Sequence, residues 1–283
     1  RCPKCNVTLT RHLKNGTLSC HYCGYTIADP RFCPDCKSSE LQAMGFGTER
    51  VEEQIASLFP TARVLRLDGD SANSSGAYNR IISQFAAGEA DILVGTQIVA
   101  KGLDFKGVTL IGILNADNLT SAPDFRAAER AWQTILQVAG RCGRRERAGE
   151  VVVQTADPSH PLFAALDEQG YQHFAAEQLR ERQLFNYPPF CRLIRITLRH
   201  REGSRLSAAA AMLSQRLKKE FGSRVLGPVT PLIDRIRGEQ IVEILIKIES
   251  GLSFARSRTI VAEAVSEVRK KADNRTVTII CDV

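Results

Sequence analysis

Asp91-Ile92-Leu93-Val94-Gly95-Thr96-Gln97-Ile98-Val99-Ala100-Lys101-Gly102-Leu103-Asp104-Phe105 is one of two runs whose reading decides the fold. The other is Gln137-Val138-Ala139-Gly140-Arg141-Cys142-Gly143-Arg144. The first opens as an apolar strand and passes into a polar loop carrying glycine. The second has the form Q-x-x-G-R-x-G-R. If it is helical, Arg141 and Arg144 share a face, and Gln137 joins them from four residues before the first. Glycines on either side keep that face open to an anion, and guanidinium groups hold phosphate oxygens with fixed bidentate geometry. A solvated basic helix end explains the arginines alone equally well. The upstream G-T-Q and K-G-x-D favour the phosphate site.

Working outward, apolar strand-like runs at 63–68, 91–94, 108–114 and 150–154 alternate with amphipathic helical runs at 51–59, 79–88 and 127–139. That alternation predicts a parallel sheet. The run 108–114 is continuously apolar, as in a strand buried on both faces. Thr48 is the expected N-cap of the first helix. Asp68 and Asp70 end a strand, where open α/β sheets place functional groups. No G-x-x-x-x-G-K-[ST] occurs in the chain, so it holds half of a nucleotide site at most.

Six of the nine cysteines form C-x-x-C pairs near the start: Cys2 and Cys5, Cys20 and Cys23, Cys33 and Cys36. Each such turn places two thiolates on one side of a tetrahedral zinc, and two turns close the shell. The segment has few large apolar residues, so metal must replace a core. A redox dithiol or plain turns are the alternatives. Three pairs make one and a half sites. Either one pair is unused, or a fourth lies upstream of Arg1, as expected for a piece of a longer chain. His12 and His21 are weaker ligand candidates, His21 pointing outward from its turn. Cys142, Cys191 and Cys281 read as small core residues.

The G-T-Q-x-x-A-K-G-x-D-F run, Asp124-Phe125-Arg126-Ala127-Ala128-Glu129-Arg130 and the Q-V-A-G-R-C-G-R run together resemble the second motor lobe of superfamily two helicases. In particular they resemble the PriA family of replication-restart helicases, a likeness that extends to the cysteines, to Gly47-Thr48-Glu49-Arg50 and to the C-terminal part. The resemblance implies a RecA-like lobe whose ATP, with Mg2+, binds between two lobes. Arg141 and Arg144 would then be arginine fingers at the γ-phosphate, with Gln137 positioning them or the attacking water. Gly102 and Asp104 would approach the ribose, although many members have histidine at the Leu103 position. Thr96, Gln97 and Lys101 would touch the DNA backbone, and Glu129 and Arg130 would link that face to the cleft. The family has four cysteine pairs, the inner two sharing one zinc and the outer two another. Carried over, Cys2, Cys5, Cys20 and Cys23 form a complete site. Cys33 and Cys36 are half of a second, giving two zinc ions per full-length protein.

The chain has 283 residues, a net charge of +7 and ordinary globular composition, 43% hydrophobic and 24% charged. Size allows two or three domains. No apolar run is long enough to span a bilayer, and no signal peptide is recognisable. Clustered thiols without a signal peptide fit the reducing cytosol. The expected division is a zinc segment at 1–40, the second motor lobe at 41–157, a helical linker at 158–190 and a C-terminal domain at 191–283. The linker carries one or two helices at 162–183, a solvent-exposed His160 and the turn Tyr187-Pro188-Pro189-Phe190.

From residue 191 the pattern is strand, helix, strand, strand, helix, strand: 193–198, 206–221, 224–226, 241–248, a helix N-capped by Ser253, and 277–281. That order suits a ferredoxin-like α+β domain. Residues 192–224 carry nine Lys or Arg against Glu202 and Glu220. Arg195, Arg199, Arg201 and Arg205 are candidates for a DNA-binding face, with a merely solubilising face as the alternative.

The resemblance implies the C-terminal part of an ATP-dependent 3′→5′ DNA helicase that recognises stalled or branched forks and initiates primosome assembly. Its expected partners are branched and single-stranded DNA, single-stranded DNA-binding protein, primosome proteins and the replicative helicase loader. A cytoplasmic monomer inactive without the first lobe is expected. The rival reading is a non-enzymatic zinc-ribbon nucleic-acid adaptor that keeps a motor-like lobe as scaffold.

Overall fold

A computed structural model describes residues 1–12, 15–33, 36–39, 47–69, 71–72, 74–96, 105, 107–140, 142, 149–166 and 170–282. The chain divides into two compact units. One joins Arg1–Ala43 to Arg180–Val283, and the other is Met44–Leu179.

In the second unit, strand β4 (Val64–Leu67) pairs in parallel with β5 (Ile92–Gly95), and β6 (Leu110–Ile113) in parallel with β7 (Glu150–Val153). Helix α1 (Thr48–Leu58) and α2 (Ser75–Ala86) accompany the first pair. The short α3 (Asp117–Thr120), α4 (Ala127–Ala139), α5 (Pro161–Ala164) and α6 (Gly170–Leu184) follow the second. Parallel pairing is as expected, but among the described residues the strands form two separate pairs. The 108–114 run is not buried on both faces: Leu110 is 61% exposed and Leu114 50%. A two-strand pair has a helix layer on one side only, so alternate side chains meet solvent. Its covered side packs Ile113 and Val153 on Ala131, Ile135, Leu162, Ala165 and Phe174. Trp132 donates Nε1–H to the Ala165 carbonyl at 3.0 Å and stacks on Tyr171.

Two helix starts differ from expectation. Helix α1 is capped by Gly47, and Thr48 lies inside it. The Thr48 hydroxyl is drawn to the Asp68 carboxylate instead. Helix α2 begins at Ser75, before residue 79, because the Ser74 side chain accepts a hydrogen bond from the Ala77 amide. His160 is not simply solvated. Its Nδ1 accepts from the Leu162 amide at 3.1 Å and caps α5.

The other unit begins with a ribbon: β1 (Thr10–His12), β2 (Thr17–Ser19) and β3 (Thr26–Ala28), all antiparallel. Its second part is β8 (Cys191–His200), α7 (Gly203–Phe221), β9 (Val225–Val229), β10 (Arg235–Ile236), β11 (Glu239–Glu249), α8 (Phe254–Lys270) and β12 (Thr278–Asp282). β8 lies centrally between β11 and β12, and β9 flanks β11, all antiparallel. This is the ferredoxin-like arrangement. Ile194, Ile196 and Leu198 face Ile244, Ile246, Leu213, Leu217, Val261 and Val268 in one core. Ser253 caps α8 as expected, accepting from the Arg256 amide. β9 does not stop at Gly227-Pro228 but runs through them, with a register shift against Glu243 and Leu245. An edge strand tolerates proline, and a bulge absorbs the irregular backbone.

Candidate metal centre and motor-lobe residues

Cys2, Cys5, Cys20 and Cys23 bring their sulfurs within 4.8 Å of one another. Both turns are built alike. The Cys2 amide donates to the Val7 carbonyl and the Asn6 amide to the Cys2 carbonyl. The Cys20 amide donates to Tyr25 and the Gly24 amide to Cys20. Asn6 and Gly24 adopt the left-handed conformation that such a turn requires (φ 50° and 74°). The Cys2 and Cys23 sulfurs lie 3.6 Å apart, too far for a disulfide. That matches the ~3.8 Å edge of a tetrahedron with Zn–S bonds of about 2.3 Å. Cys2, Cys5 and Cys20 are buried with Val7, Leu9 and Tyr25 around them. The thiols do not shift together: burial pushes Cys2 up and Cys23 is raised too, whereas Cys20, despite its burial, is brought down to about 7 by the Tyr22 and Cys23 amides and the neighbouring sulfurs. A thiol that ionises near neutrality starts the deprotonation that a divalent cation completes. The donor set therefore fits zinc.

Cys33 and Cys36 stand apart from this cluster. Their turn is nevertheless of the same kind, with the Cys33 amide on Ser38, the Lys37 amide on Cys33 and Lys37 at φ 61°. His12 and His21 pack edge to face at 5.7 Å, and neither joins the four sulfurs.

In the other unit, Thr96 is exposed just beyond the C-terminal end of β5. Gln137 is exposed in the last turn of α4. That helix runs to Ala139, with Gly140 as its C-cap in right-handed helical geometry. Gln97, Lys101, Gly102, Asp104, Arg141 and Arg144 lie outside the described residues, as does Asp70. In the D-F-R-A-A-E-R run, Asp124 accepts from the Arg126 amide and pairs with Arg130 at 2.9 Å, which fixes the entry to α4. Phe105 is buried edge-on against Phe85.

A cluster at the end of β4 joins Thr48, Glu49 and Asp68, which the sequence pointed to, with Arg66, which it did not. Arg66 is 7% exposed, with Glu49 at 2.9 Å and Asp68 at 3.2 Å. Burial would raise the Asp68 carboxyl, but Thr48, Ser71 and the Arg66 charge hold it below the ordinary value. The available signal was an arginine between two leucines in an otherwise apolar strand.

Three family profiles match the chain. Residues 2–27 match the PriA DNA helicase Cys-rich region, residues 32–146 the helicase conserved C-terminal domain, and residues 183–283 the primosomal protein N C-terminal domain. Curated relatives named "Replication restart protein PriA" align along most of it. That of Bacillus subtilis is 39% identical over 249 residues, covering 87% of this chain and 31% of the relative. The Synechocystis protein is 39% identical over 256 residues (88% and 31%), and that of Haemophilus influenzae 38% over 264 residues (91% and 36%). The chain belongs to the PriA family. It spans about a third of the length of these relatives. Its architecture is a PriA zinc ribbon, a RecA-like helicase lobe and the PriA C-terminal α+β domain.

Within that PriA C-terminal domain, Arg195 is exposed, with Asp282 opposite it on β12. Arg199 was expected on the same polar face but is half-buried, its Nε enclosed without a hydrogen-bond partner. It sits on the central strand, flanked by Ile241 and Thr278 on neighbours to either side, which screen it from water. Arg201 is exposed, and Arg205 pairs with Glu202 at 2.7 Å. Of the three scattered thiols only Cys191 is a core residue, its Sγ donating to the Asn186 carbonyl. Cys142 is half-buried and Cys281 exposed, the latter because β12 is an edge strand. No helix of the described residues is long and apolar enough to cross a membrane.

Proposed function

We propose that this chain contributes the second motor lobe, zinc ribbon and C-terminal DNA-binding domain of an ATP-dependent 3′→5′ DNA helicase. That helicase acts at stalled or branched replication forks and starts primosome assembly. The observation that carries the reading is near-40% identity to the replication restart relatives, which runs through the ribbon, the lobe and the C-terminal domain. Arg141 and Arg144 are the arginine fingers, and Gln137 positions them. Gly102 and Asp104 approach the ribose of ATP held with Mg2+ against a first lobe. Thr96, Gln97 and Lys101 follow the DNA backbone, a contact that supplies affinity without reading sequence. Arg195 adds to it from the C-terminal sheet. Arg199, being enclosed, serves that face less directly.

Cys2, Cys5, Cys20 and Cys23 hold one zinc, which supplies the folding energy of a ribbon lacking an apolar core. Cys33 and Cys36, shaped for a ligand pair, belong to a second. The partners are branched and single-stranded DNA, single-stranded DNA-binding protein, primosome proteins and the helicase loader. The 283 residues alone hydrolyse no ATP, because no phosphate-binding loop is among them.

The test is Arg144→Ala in the full-length protein. DNA-stimulated ATP hydrolysis should fall by about 10³-fold or more, with zinc content unchanged. Hydrolysis near the wild-type rate would remove Arg144 from the finger role.

A further inference from the structure

We propose that the hairpin between β10 and β11 is the outer shell of the metal centre. It fastens the ribbon to the α+β domain only while the metal is bound. This rests on the zinc reading of Cys2, Cys5, Cys20 and Cys23.

Arg235 pairs with Gln240 and Ile236 with Glu239, leaving a two-residue turn at Arg237 and Gly238. Both adopt positive φ, 54° and 84°. A two-residue hairpin turn of this hand normally takes Asn-Gly or Asp-Gly, and a long L side chain at its first position is disfavoured. A conformation of that kind persists when its surroundings hold it, and here the surroundings are the cysteine turns. The Arg237 amide donates to the Cys5 sulfur at 3.2 Å. Its guanidinium Nε donates to the Tyr22 carbonyl at 3.2 Å, and the Gly238 amide to the Lys4 carbonyl at 2.7 Å. Asn6 donates Nδ2 to both carboxylate oxygens of Asp234, at 2.9 and 3.1 Å. Ile236 packs on the buried cysteines.

The hairpin therefore touches both cysteine turns. Its one amide on sulfur does for Cys5 what outer-shell donors do for metal ligands: it offsets charge on the thiolate and fixes its direction. A metal-bound thiolate accepts more strongly than a neutral thiol does, so metal strengthens the bond relative to the protonated sulfur. Conversely, docking of the hairpin is favoured by every contact that the metal keeps in place. Arg237 acts through Cys5 and is a positioning residue.

The experiment uses the 283-residue chain loaded with zinc, after elemental analysis has confirmed the metal. A chain that binds no zinc defeats the metal reading and this proposal together. With zinc bound, the Arg237 and Gly238 amides should be protected from hydrogen exchange. After chelation they should exchange at least tenfold faster, while the β8–β11 amides stay protected. Zinc transfer to excess chelator should be about tenfold faster from Asp234→Ala and from Arg237→Pro, which lacks the amide hydrogen. It should stay within about twofold of wild type in Arg237→Gly, which keeps amide and turn. Protected β8–β11 amides in each variant certify its fold. Unchanged exchange on chelation, or wild-type release from both disrupting variants, overturns the proposal. Release from Arg237→Gly as fast as from Arg237→Pro puts the effect in the guanidinium and overturns the assignment to the amide.

Discussion

Arg66 is the side chain whose loss the lobe should feel most. It is enclosed with Glu49 and Asp68, so its removal leaves two shielded carboxylates without their cation. Breaking a buried pair from one side costs about 3–5 kcal/mol. Arg66→Met should lower the stability of this unit by that order, in urea unfolding followed by fluorescence of Trp132, the single tryptophan. The pH dependence has a definite sign. In the native protein the Asp68 carboxyl is held below its ordinary value. Its contribution is therefore present above about pH 4 and lost as pH falls through the folded-state value. In Arg66→Met the Asp68 carboxyl loses that charge and becomes easier to protonate, so the gap between variant and wild type should narrow below about pH 4. A gap independent of pH would exclude an electrostatic role for Arg66. Asp91 makes a contrast. Arg63 lowers it to about 2, yet the pair is exposed, so Asp91→Asn should remove that low-pH titration and leave stability nearly untouched.

Among the elements, β9 is the most constrained by one residue. Gly227 has φ 97°, and a Cβ there would stand 2.8 Å from the Glu243 carbonyl oxygen of β11. Backbone on a central sheet neighbour cannot give way as a flexible side chain can. Gly227→Ala should destabilise the α+β domain by about 1–3 kcal/mol, read as faster hydrogen exchange along β9 and β11. Gly203 is the counter-example. Its Cβ would meet only the Gln240 side chain, which can move aside, so Gly203→Ala should be nearly neutral. Helix α4 was legible in both respects: its apolar stripe, Ala131 and Ile135, and its bounds, 127–139, agree with the reading from spacing.

For the molecule as a whole, metal and sheet are separate sources of order. The ribbon has a cluster of cysteines with few apolar neighbours, whereas the α+β domain has a continuous aliphatic core. Chelation should therefore abolish the ordered amides of residues 1–28 and leave the β8–β11–β12 sheet folded, as hydrogen exchange would show. Cooperative loss of the sheet on chelation would contradict this. Elemental analysis should find one tightly held zinc, because only four of the six paired cysteines converge.

The sequence by itself determined the alternation of strands and helices in the lobe, the ferredoxin-like order of the C-terminal domain, the three cysteine pairs and, through its motifs, the family resemblance that selects Cys2, Cys5, Cys20 and Cys23. Each rests on local information: strand and helix periods, C-x-x-C spacing, and motifs within a few residues. Tertiary structure alone decided the rest. Arg66 became the centre of a buried ion cluster because α1 and β4 bring Glu49 and Asp68 to it. Arg199 is half-buried, with its Nε enclosed, because its strand is central. Residues 108–114 are apolar but for Thr109, yet exposed on one side, because the strand joins a pair with a single helix layer. Above all, Asp234 and Arg237 reach Asn6 and Cys5 across more than two hundred residues of chain. No pattern confined to neighbouring residues carries a contact of that separation, since it exists only once the ribbon and the sheet have packed.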